Sequence, residues 1–163
     1  MTKTKSNRFA KFLCILMVAS MLLACAAIFV SADNTDTSYT YSFNTNSRST
    51  LGRYKEDDSC CYMKYETGSI AYTARAHGKT SATDSISYDR SGGFVYRFTS
   101  AHEARFMYNY VWEKAHVAGQ IAYPICEYIS INGSANGTGT ATGVWSPDSV
   151  NQAGVLPPSD YMQ

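Results

Sequence analysis

Large aromatic side chains stand at every second position in several stretches of this chain. Successive side chains of a β-strand point to opposite faces, so this spacing places the aromatics of one stretch on the same face. Tyrosine, which occurs 13 times, favours such a half-buried pleated setting. The stretches are Tyr39, Tyr41 and Phe43; Ile70, Tyr72, Ala74 and Ala76; and Phe94, Tyr96 and Phe98. Each is predicted to be a strand with one face turned to the interior.

Turn-forming residues separate these strands at short intervals. The turn clusters are residues 44–52, 66–68, 78–84 and 89–93. The break at 66–68 is so short that residues 59–66 and 69–77 are expected to form a hairpin. Many short strands, without an alternation of strands and helices, predict an all-β fold. We expect an antiparallel β-sandwich or open barrel of about six to eight short strands.

The C-terminal part of the chain predicts one more strand between two irregular segments. The glycine-rich residues 132–139 are expected to form a flexible loop. Residues 140–145 predict the last strand, which the Ser-Pro-Asp-Ser run at 146–149 ends. The tail around Pro157 and Pro158 is expected to be loosely ordered.

The stretch from Ser100 to Trp112 fits two incompatible patterns. Its large aromatics alternate, as Phe106, Tyr108, Tyr110 and Trp112. Because a helix would leave some of them exposed, we predict a strand over 105–112 that forms a hairpin with 116–123. The alternative is a short helix over 101–114, which the S-x-x-E spacing of Ser100 and Glu103 would cap.

The N-terminus has the organisation of an export signal. Residues 12–30 carry no charge, follow four basic residues, and end in the small-residue sequence Val30-Ser31-Ala32. We predict a signal peptide over 1–32, a single β domain over 33–150, a tail over 151–163, and a secreted protein. Two alternatives are an uncleaved membrane anchor, since 19 apolar residues nearly span a bilayer, and a lipoprotein signal at Cys25.

The charge balance argues against a nucleic-acid partner. Four of the 14 basic residues precede the apolar run, and all 13 acidic residues follow Ala32. Residues 33–163 therefore carry ten basic and 13 acidic side chains, a net charge of −3. A weakly acidic domain with scattered basic residues lacks the positive surface that nucleic-acid binding requires.

Three cysteines remain after removal of the signal: Cys60, Cys61 and Cys126. In an exported protein we predict that Cys126 forms a disulfide with Cys60 or Cys61 and that one thiol stays free. The alternative is that none pairs and all three are small buried apolar residues. Their spacing does not match a structural zinc site, so no metal is expected.

Motifs for catalysis and cofactor binding are missing. His102-Glu103 begins a zinc-protease motif, but position 106 is Phe where a second His is needed. The three histidines, His77, His102 and His116, could meet only through the fold. Neither a nucleophile elbow nor an S-x-x-K arrangement occurs. The acidic run at 56–58 is interpreted as a solvated loop rather than a calcium site. No cofactor is predicted, and an enzymatic role is not favoured.

The excess of tyrosine predicts a contact surface. Tyrosine offers a large, rigid, amphipathic area suited to protein interfaces and to sugars. Because one interior cannot hold all these rings, some are expected to form an exposed patch. The candidate binding residues are Tyr108, Tyr110, Trp112 and Trp145. Trp145 has a second interpretation, as an anchor that closes the last strand against the core.

Two short motifs carry a resemblance to known sequences. Residues 143–150, Gly-Val-Trp-Ser-Pro-Asp-Ser-Val, follow Asn109-Tyr110-Val111-x-Glu113 by some 30 residues. Together, mainly over 94–150, they resemble small uncharacterised secreted proteins of Gram-positive bacteria, some of them bacteriocin-like, of the lactococcin type. The resemblance implies a β-rich exported domain without an established activity.

Three functions are compatible with this sequence. The first is an exported, non-enzymatic β domain that acts by contact with a cell-surface component or glycan, in a bacteriocin-like or surface-interaction role. The alternative is a secreted hydrolase whose Cys/His or carboxylate site the fold assembles. A third is a purely structural envelope protein.

Overall fold

The computed structural model describes residues 34–44, 47–149 and 155–162. Within them, ten strands and one short helix follow one another along the chain. In chain order these are β1 (Thr37–Asn44), β2 (Arg48–Ser49), β3 (Arg53–Tyr54), β4 (Cys61–Gly68), β5 (Tyr72–Lys79), β6 (Tyr88–Asp89), β7 (Tyr96–Phe98), β8 (Ala104–Met107), α1 (Val111–His116), β9 (Tyr128–Ser134) and β10 (Thr138–Ser146). The predicted all-β class is therefore confirmed.

The strands form two antiparallel sheets packed as a sandwich. Sheet A has the order β1-β10-β4-β8. Sheet B is built around the central pair β9 and β5; β2 and β3 share the free edge of β9, and β6 and β7 share the free edge of β5. The strand predicted at 140–145 is confirmed as part of β10, which lies in the middle of sheet A.

The interior between the sheets is filled mainly by aromatic rings. The alternation along β1, β5 and β7 holds, because the predicted inward residues of these strands are buried. Tyr72 of sheet B stacks on Phe98 at a centroid distance of 5.0 Å, and its hydroxyl lies 2.6 Å from that of Tyr39 in sheet A. The Tyr41 hydroxyl donates to the Ile131 carbonyl at 2.8 Å. These phenols bridge the two sheets while their polar ends remain hydrogen-bonded.

The hairpin predicted for 59–66 and 69–77 is wrong. Residues 66–68 belong to β4 in sheet A, whereas β5 lies in sheet B. The chain crosses the sandwich between them, so Tyr65 and Tyr72 face each other through the interior at a centroid distance of 5.4 Å. The aromatic faces of the two strands are thereby buried against each other between the sheets.

The strand predicted over 105–112 holds only as far as Met107, where β8 ends, and the hairpin partner predicted over 116–123 is wrong. The alternative, a short helix over 101–114, is present only in its last part, as α1 over residues 111–116. It cannot begin at 101, since His102 has φ +70°, which a right-handed helix excludes. The Glu103 carboxylate instead accepts the backbone N–H of Thr99 at 2.8 Å and holds a turn. The helix begins later, where the Asn109 side chain accepts the Val111 N–H.

Two irregular segments are more ordered than the sequence suggests. β9 and β10 leave only residues 135–137 between them, so the loop predicted at 132–139 is largely strand. In the tail, residues 155–162 lie along the sandwich: Leu156 pairs with Arg105 of β8, and Met162 pairs with Val95 beside β7. The tail thereby joins an edge strand of sheet A to an edge strand of sheet B.

The predicted signal peptide over 1–32 and its cleavage site lie outside the described residues. Among the residues that are described, no helix has the length and apolar character needed to cross a membrane.

Candidate functional site

A cluster of four aromatic rings lies partly exposed on the side of the sandwich where the tail runs. We call it the aromatic patch; it consists of Phe94, Tyr108, Tyr110 and Tyr161. Phe94 is at its centre, with ring centroids at 5.0 Å from Tyr108, 6.4 Å from Tyr110 and 4.6 Å from Tyr161. Tyr108 and Tyr110 keep 38% and 37% of their surface exposed.

Local backbone contacts hold the patch in place. The Tyr108 N–H donates to the Tyr96 hydroxyl at 2.9 Å, and the Tyr110 N–H donates to the Arg90 carbonyl at 2.8 Å. Gly92 has φ +66°, and a Cβ there would come within 2.3 Å of the Tyr110 ring. Glycine is therefore required at 92 for both the turn and the seat of that ring. The exposed rings are fixed before any partner binds, which lowers the entropy cost of binding.

A cleft of about 380 Å³ lies at the end of the patch, where Met162 follows Tyr161. Its walls combine apolar and hydrogen-bonding groups: Ile70, Tyr72, Thr73, Arg97, Ser134 and Asn136. A cleft lined by this mixture of polar and apolar groups suits a small polar ligand.

The structure separates the four predicted binding residues. Tyr108 and Tyr110 meet in the patch, although they precede a helix and do not lie on a strand. Trp112 lies in α1, partly buried, and its ring stacks on His116 at 5.1 Å. Trp145 is 2% exposed, with the Arg53 guanidinium 5.7 Å from its ring centroid, which agrees with its interpretation as a core anchor.

Phe94 and Tyr161 complete the patch and were not predicted for it. Phe94 shares its alternation with Tyr96 and Phe98, so the pattern assigns it to the core. Tyr161 lies in the tail that was expected to be loosely ordered. No local signal in the sequence places these two rings beside Tyr108.

The structure contains no bond between the disulfide candidates: Cys60, Cys61 and Cys126 are all free. Cys61 is fully buried in β4 of sheet A, where its thiol faces the Met107 carbonyl at 3.5 Å. Cys126 precedes β9 of sheet B and packs against Gly78. Burial raises the pKa of Cys61 to about 12, so this thiol stays protonated and unreactive at neutral pH.

The three histidines make separate contacts. His77 Nδ1 lies 3.0 Å from the Ser87 hydroxyl, and His116 Nε2 lies 3.9 Å from Glu127. His102 occupies an exposed turn. Among the described residues there is no group of three or more His, Cys, Asp or Glu that could hold a metal ion.

A second cluster, buried and polar, lies where β3 and β10 end. Lys55 follows β3 and Asp148 follows β10, and their side chains form an ion pair with 0% exposure on both sides. The Asp57 carboxylate, 42% exposed, lies 3.5 Å from Lys55 Nζ. Ser59 Oγ lies 3.4 Å from the same nitrogen. We call Lys55, Asp57 and Asp148 the buried triad, after the fully buried pair of Lys55 and Asp148 to which the partly exposed Asp57 is added.

Hydrogen bonds from neighbouring segments enclose the buried triad. The Glu56 N–H donates to Asp148 Oδ2 at 3.3 Å, and the Ser59 N–H donates to Asp57 Oδ1 at 2.9 Å. Asn109 Nδ2 donates to the Ser59 carbonyl at 3.1 Å. Asn109 of the first motif quoted for the sequence resemblance and Asp148 of the second therefore both lie at this cluster.

The electrostatics of the two carboxylates differ. Burial raises the pKa of Asp148, although Lys55 works in the opposite direction. Burial would also raise the pKa of Asp57, but hydrogen bonds from Ser59 and from the Asp148 side chain outweigh it and lower that pKa. Asp148 is thus the carboxyl that holds a proton more readily, and Asp57 is the one that stays ionised.

The buried triad was missed at the sequence level. The acidic run at 56–58 was interpreted as a solvated loop; Asp58 is exposed, but Asp57 faces Lys55. Lys55 and Asp148 are 93 residues apart, so only the fold brings them together. A lysine beside a strand is ordinarily a surface residue.

Comparison with protein families gives one match. A family model described as a protein of unknown function (DUF2712) matches residues 25–149. The chain has no match among curated proteins and none among solved structures.

Proposed function

The chain belongs to the DUF2712 family, whose description states no function, and we propose that it is an exported, non-enzymatic β domain that acts by contact through its aromatic patch. The proposed partner is a component of a cell surface, with a glycan as the favoured chemistry. A bacteriocin-like protein acting on another cell's surface would use the same kind of contact.

The observation that supports this proposal is the fixed, half-exposed ring cluster. A soluble domain gains stability by burying its large apolar side chains, so rings that stay together at the surface usually mark a binding site. Tyr108 and Tyr110 each leave more than a third of their surface exposed while their neighbours hold them in one arrangement. Rigid tyrosines are among the side chains that contribute most to binding energy.

A glycan is favoured because the patch offers both apolar ring faces and hydroxyl groups. Sugar rings present apolar C–H faces and a rim of hydroxyls, and tyrosine matches both. The adjoining cleft adds Thr73, Ser134 and Asn136 as hydrogen-bonding groups. The net charge of −3 over residues 33–163 argues against a strongly acidic polymer as the ligand.

The test is retention of the purified domain on intact Gram-positive cells, on isolated cell wall and on soluble glycans. We expect the wild type to be retained on at least one, and Tyr108→Ala and Tyr110→Ala each to weaken retention by about tenfold or more. The matched control is Tyr54→Ala, because Tyr54 is 44% exposed but lies on β3, at the opposite edge of sheet B.

Two results would contradict the proposal. One is the absence of retention on all three materials. The other is equal weakening by the patch variants and by Tyr54→Ala, which would show a non-specific loss. Circular dichroism of each variant establishes that the sandwich is intact.

A further inference from the structure

The buried triad combines the reactants for a covalent bond between the two sheets. Lys55 Nζ contacts Asp148 Oδ1 directly, and water is excluded from both side chains. Keeping two charges in such a place carries a large desolvation cost for each ion. Moving one proton makes both partners neutral and leaves an amine against a carboxylic acid.

We propose that Lys55 and Asp148 become joined by an intramolecular amide bond between Lys55 Nζ and Asp148 Cγ, with the Asp57 carboxylate carrying the proton. This inference does not depend on the aromatic patch or on the function proposed for it.

The bond forms with loss of one water molecule. One proton passes from the Lys55 ammonium through the Asp57 carboxylate to Asp148 Oδ1, which leaves an amine against a carboxylic acid. The amine lone pair attacks Cγ, and the N–Cγ bond forms. Asp57 then takes a second proton from Nζ and gives it to Oδ1, the Cγ–Oδ1 bond breaks, and Oδ1 leaves as water. Nothing is oxidised or reduced, so no further reactant is needed.

Two groups beside the Lys55–Asp148 pair have a role in this step. The Glu56 N–H that contacts Asp148 Oδ2 would stabilise the negative charge that develops on this oxygen. Asp57 lies within reach of Lys55 Nζ and interacts with the Asp148 carboxyl, so one group serves both proton transfers. The raised pKa of Asp148 supports its neutral form as the electrophile.

The position of the bond in the fold indicates that it would stabilise the sandwich. It would join the segment after β3 of sheet B to the segment after β10 of sheet A, closing a loop of 93 residues. A crosslink across a long loop removes conformational freedom from the unfolded chain, as a disulfide does. An amide does so without thiols, and the three cysteines of the domain are free.

The first test is the intact mass of the purified, denatured wild-type protein. We expect it to fall short of the mass of its residues, counted from the N-terminus found by sequencing, by one water. Trypsin should leave Lys55 uncleaved and release a branched peptide that contains both Lys55 and Asp148. Fragmentation of that peptide separates the crosslink from a cyclic imide formed elsewhere. The full residue mass in the wild type, unchanged after long incubation, would overturn the proposal.

Variants assign the roles. Lys55→Arg keeps the positive charge of the lysine, and this variant should show the full residue mass. Asp148→Asn keeps the shape of the aspartate side chain. Asp57→Asn should slow or abolish the loss of water while the ion pair and the fold remain. The matched control Lys64→Arg changes the lysine of an exposed pair and should lose water as the wild type does. Normal loss of water in Lys55→Arg overturns the proposed bond, and normal loss in Asp57→Asn overturns the role of Asp57.

Discussion

Tyrosine dominates this molecule at the scale of single residues, and it does so in two settings. Tyr39, Tyr41 and Tyr72 are buried, and burial raises the pKa of each phenol so that it stays neutral in the core. Tyr108 and Tyr110 have similar rings but lie at the surface. A buried hydroxyl needs a partner, and the bonds across the sandwich provide it.

The cysteines allow a direct test at this scale. Cys61 and Cys126 are 0% and 2% exposed, whereas Cys60 is partly exposed. We therefore expect a thiol reagent to modify one cysteine, Cys60, in the native protein, and all three after denaturation without reductant. Cys60→Ser should remove the native reaction and leave two thiols in the denatured chain. Detection of only one reactive thiol in the denatured wild type would instead show that the other two cysteines form a disulfide.

Among the elements, the C-terminal tail is bound to both sheets of the sandwich. The Tyr96 hydroxyl donates to the Pro158 carbonyl at 2.8 Å, and Arg105 Nη1 donates to Asp160 Oδ2 at 2.7 Å. Arg105 is also paired with Glu103 at the start of β8. The clamp of Glu103, Arg105 and Asp160 thus fastens the tail to sheet A.

This clamp predicts a dependence of stability on pH. Burial would raise the pKa of Glu103, but hydrogen bonds from Thr99 and Arg105 outweigh it and lower the pKa below its ordinary 4.5. Because the folded form holds the ionised carboxylate, its stabilisation is complete above about pH 5 and is lost as pH falls through the lowered pKa.

We expect Glu103→Gln to be less stable than the wild type at pH 7 and to lose less stability on acidification. The measurement is the urea midpoint between about pH 7 and pH 3. The control is Glu66→Gln, which alters a more exposed ion pair on β4. If the urea midpoints of the wild type and of Glu103→Gln change with pH in parallel, the Glu103 carboxylate does not contribute to the pH dependence of stability.

At the scale of the whole molecule, stability depends on the contact between the two sheets. The phenol of Tyr41 crosses from β1 to β9, where the Ile131 carbonyl also accepts the Thr50 N–H at 3.0 Å. Gly133 lies under the Tyr41 ring, where a Cβ would come within 2.6 Å of Cε2. The sheets therefore approach closely at this point.

We expect Tyr41→Phe to lower the free energy of unfolding by about 1 kcal/mol, since one buried hydrogen bond is lost while the Ile131 carbonyl keeps its second donor. Urea unfolding of both proteins measures it. Tyr123→Phe is the control, because Tyr123 is 83% exposed and should unfold as the wild type does. Equal effects of the two substitutions would contradict the role of the Tyr41 hydroxyl.

The sequence by itself determined that β1, β5, β7 and β10 contain strands, and which faces of β1, β5 and β7 are buried. Strand alternation is a local property: the side chains of Tyr39, Tyr41 and Phe43 share a face whatever else the chain does. The same local reasoning identified β10. It failed at Ser100–Trp112, where the backbone follows the positive φ of His102 and the hydrogen bond from the Val111 N–H to the Asn109 side chain, and not the alternation of aromatics.

Only the tertiary structure decided which strands pair and which side chains meet. β4 and β5 are adjacent in the chain but lie in different sheets, because their aromatic faces are buried against each other across the sandwich. The path of the whole chain brings Phe94 into contact with Tyr161 and Lys55 into contact with Asp148. A local sequence pattern indicates the face of the strand on which a residue lies. The residue that it contacts on another strand or segment is determined by packing, which is cooperative over the entire fold.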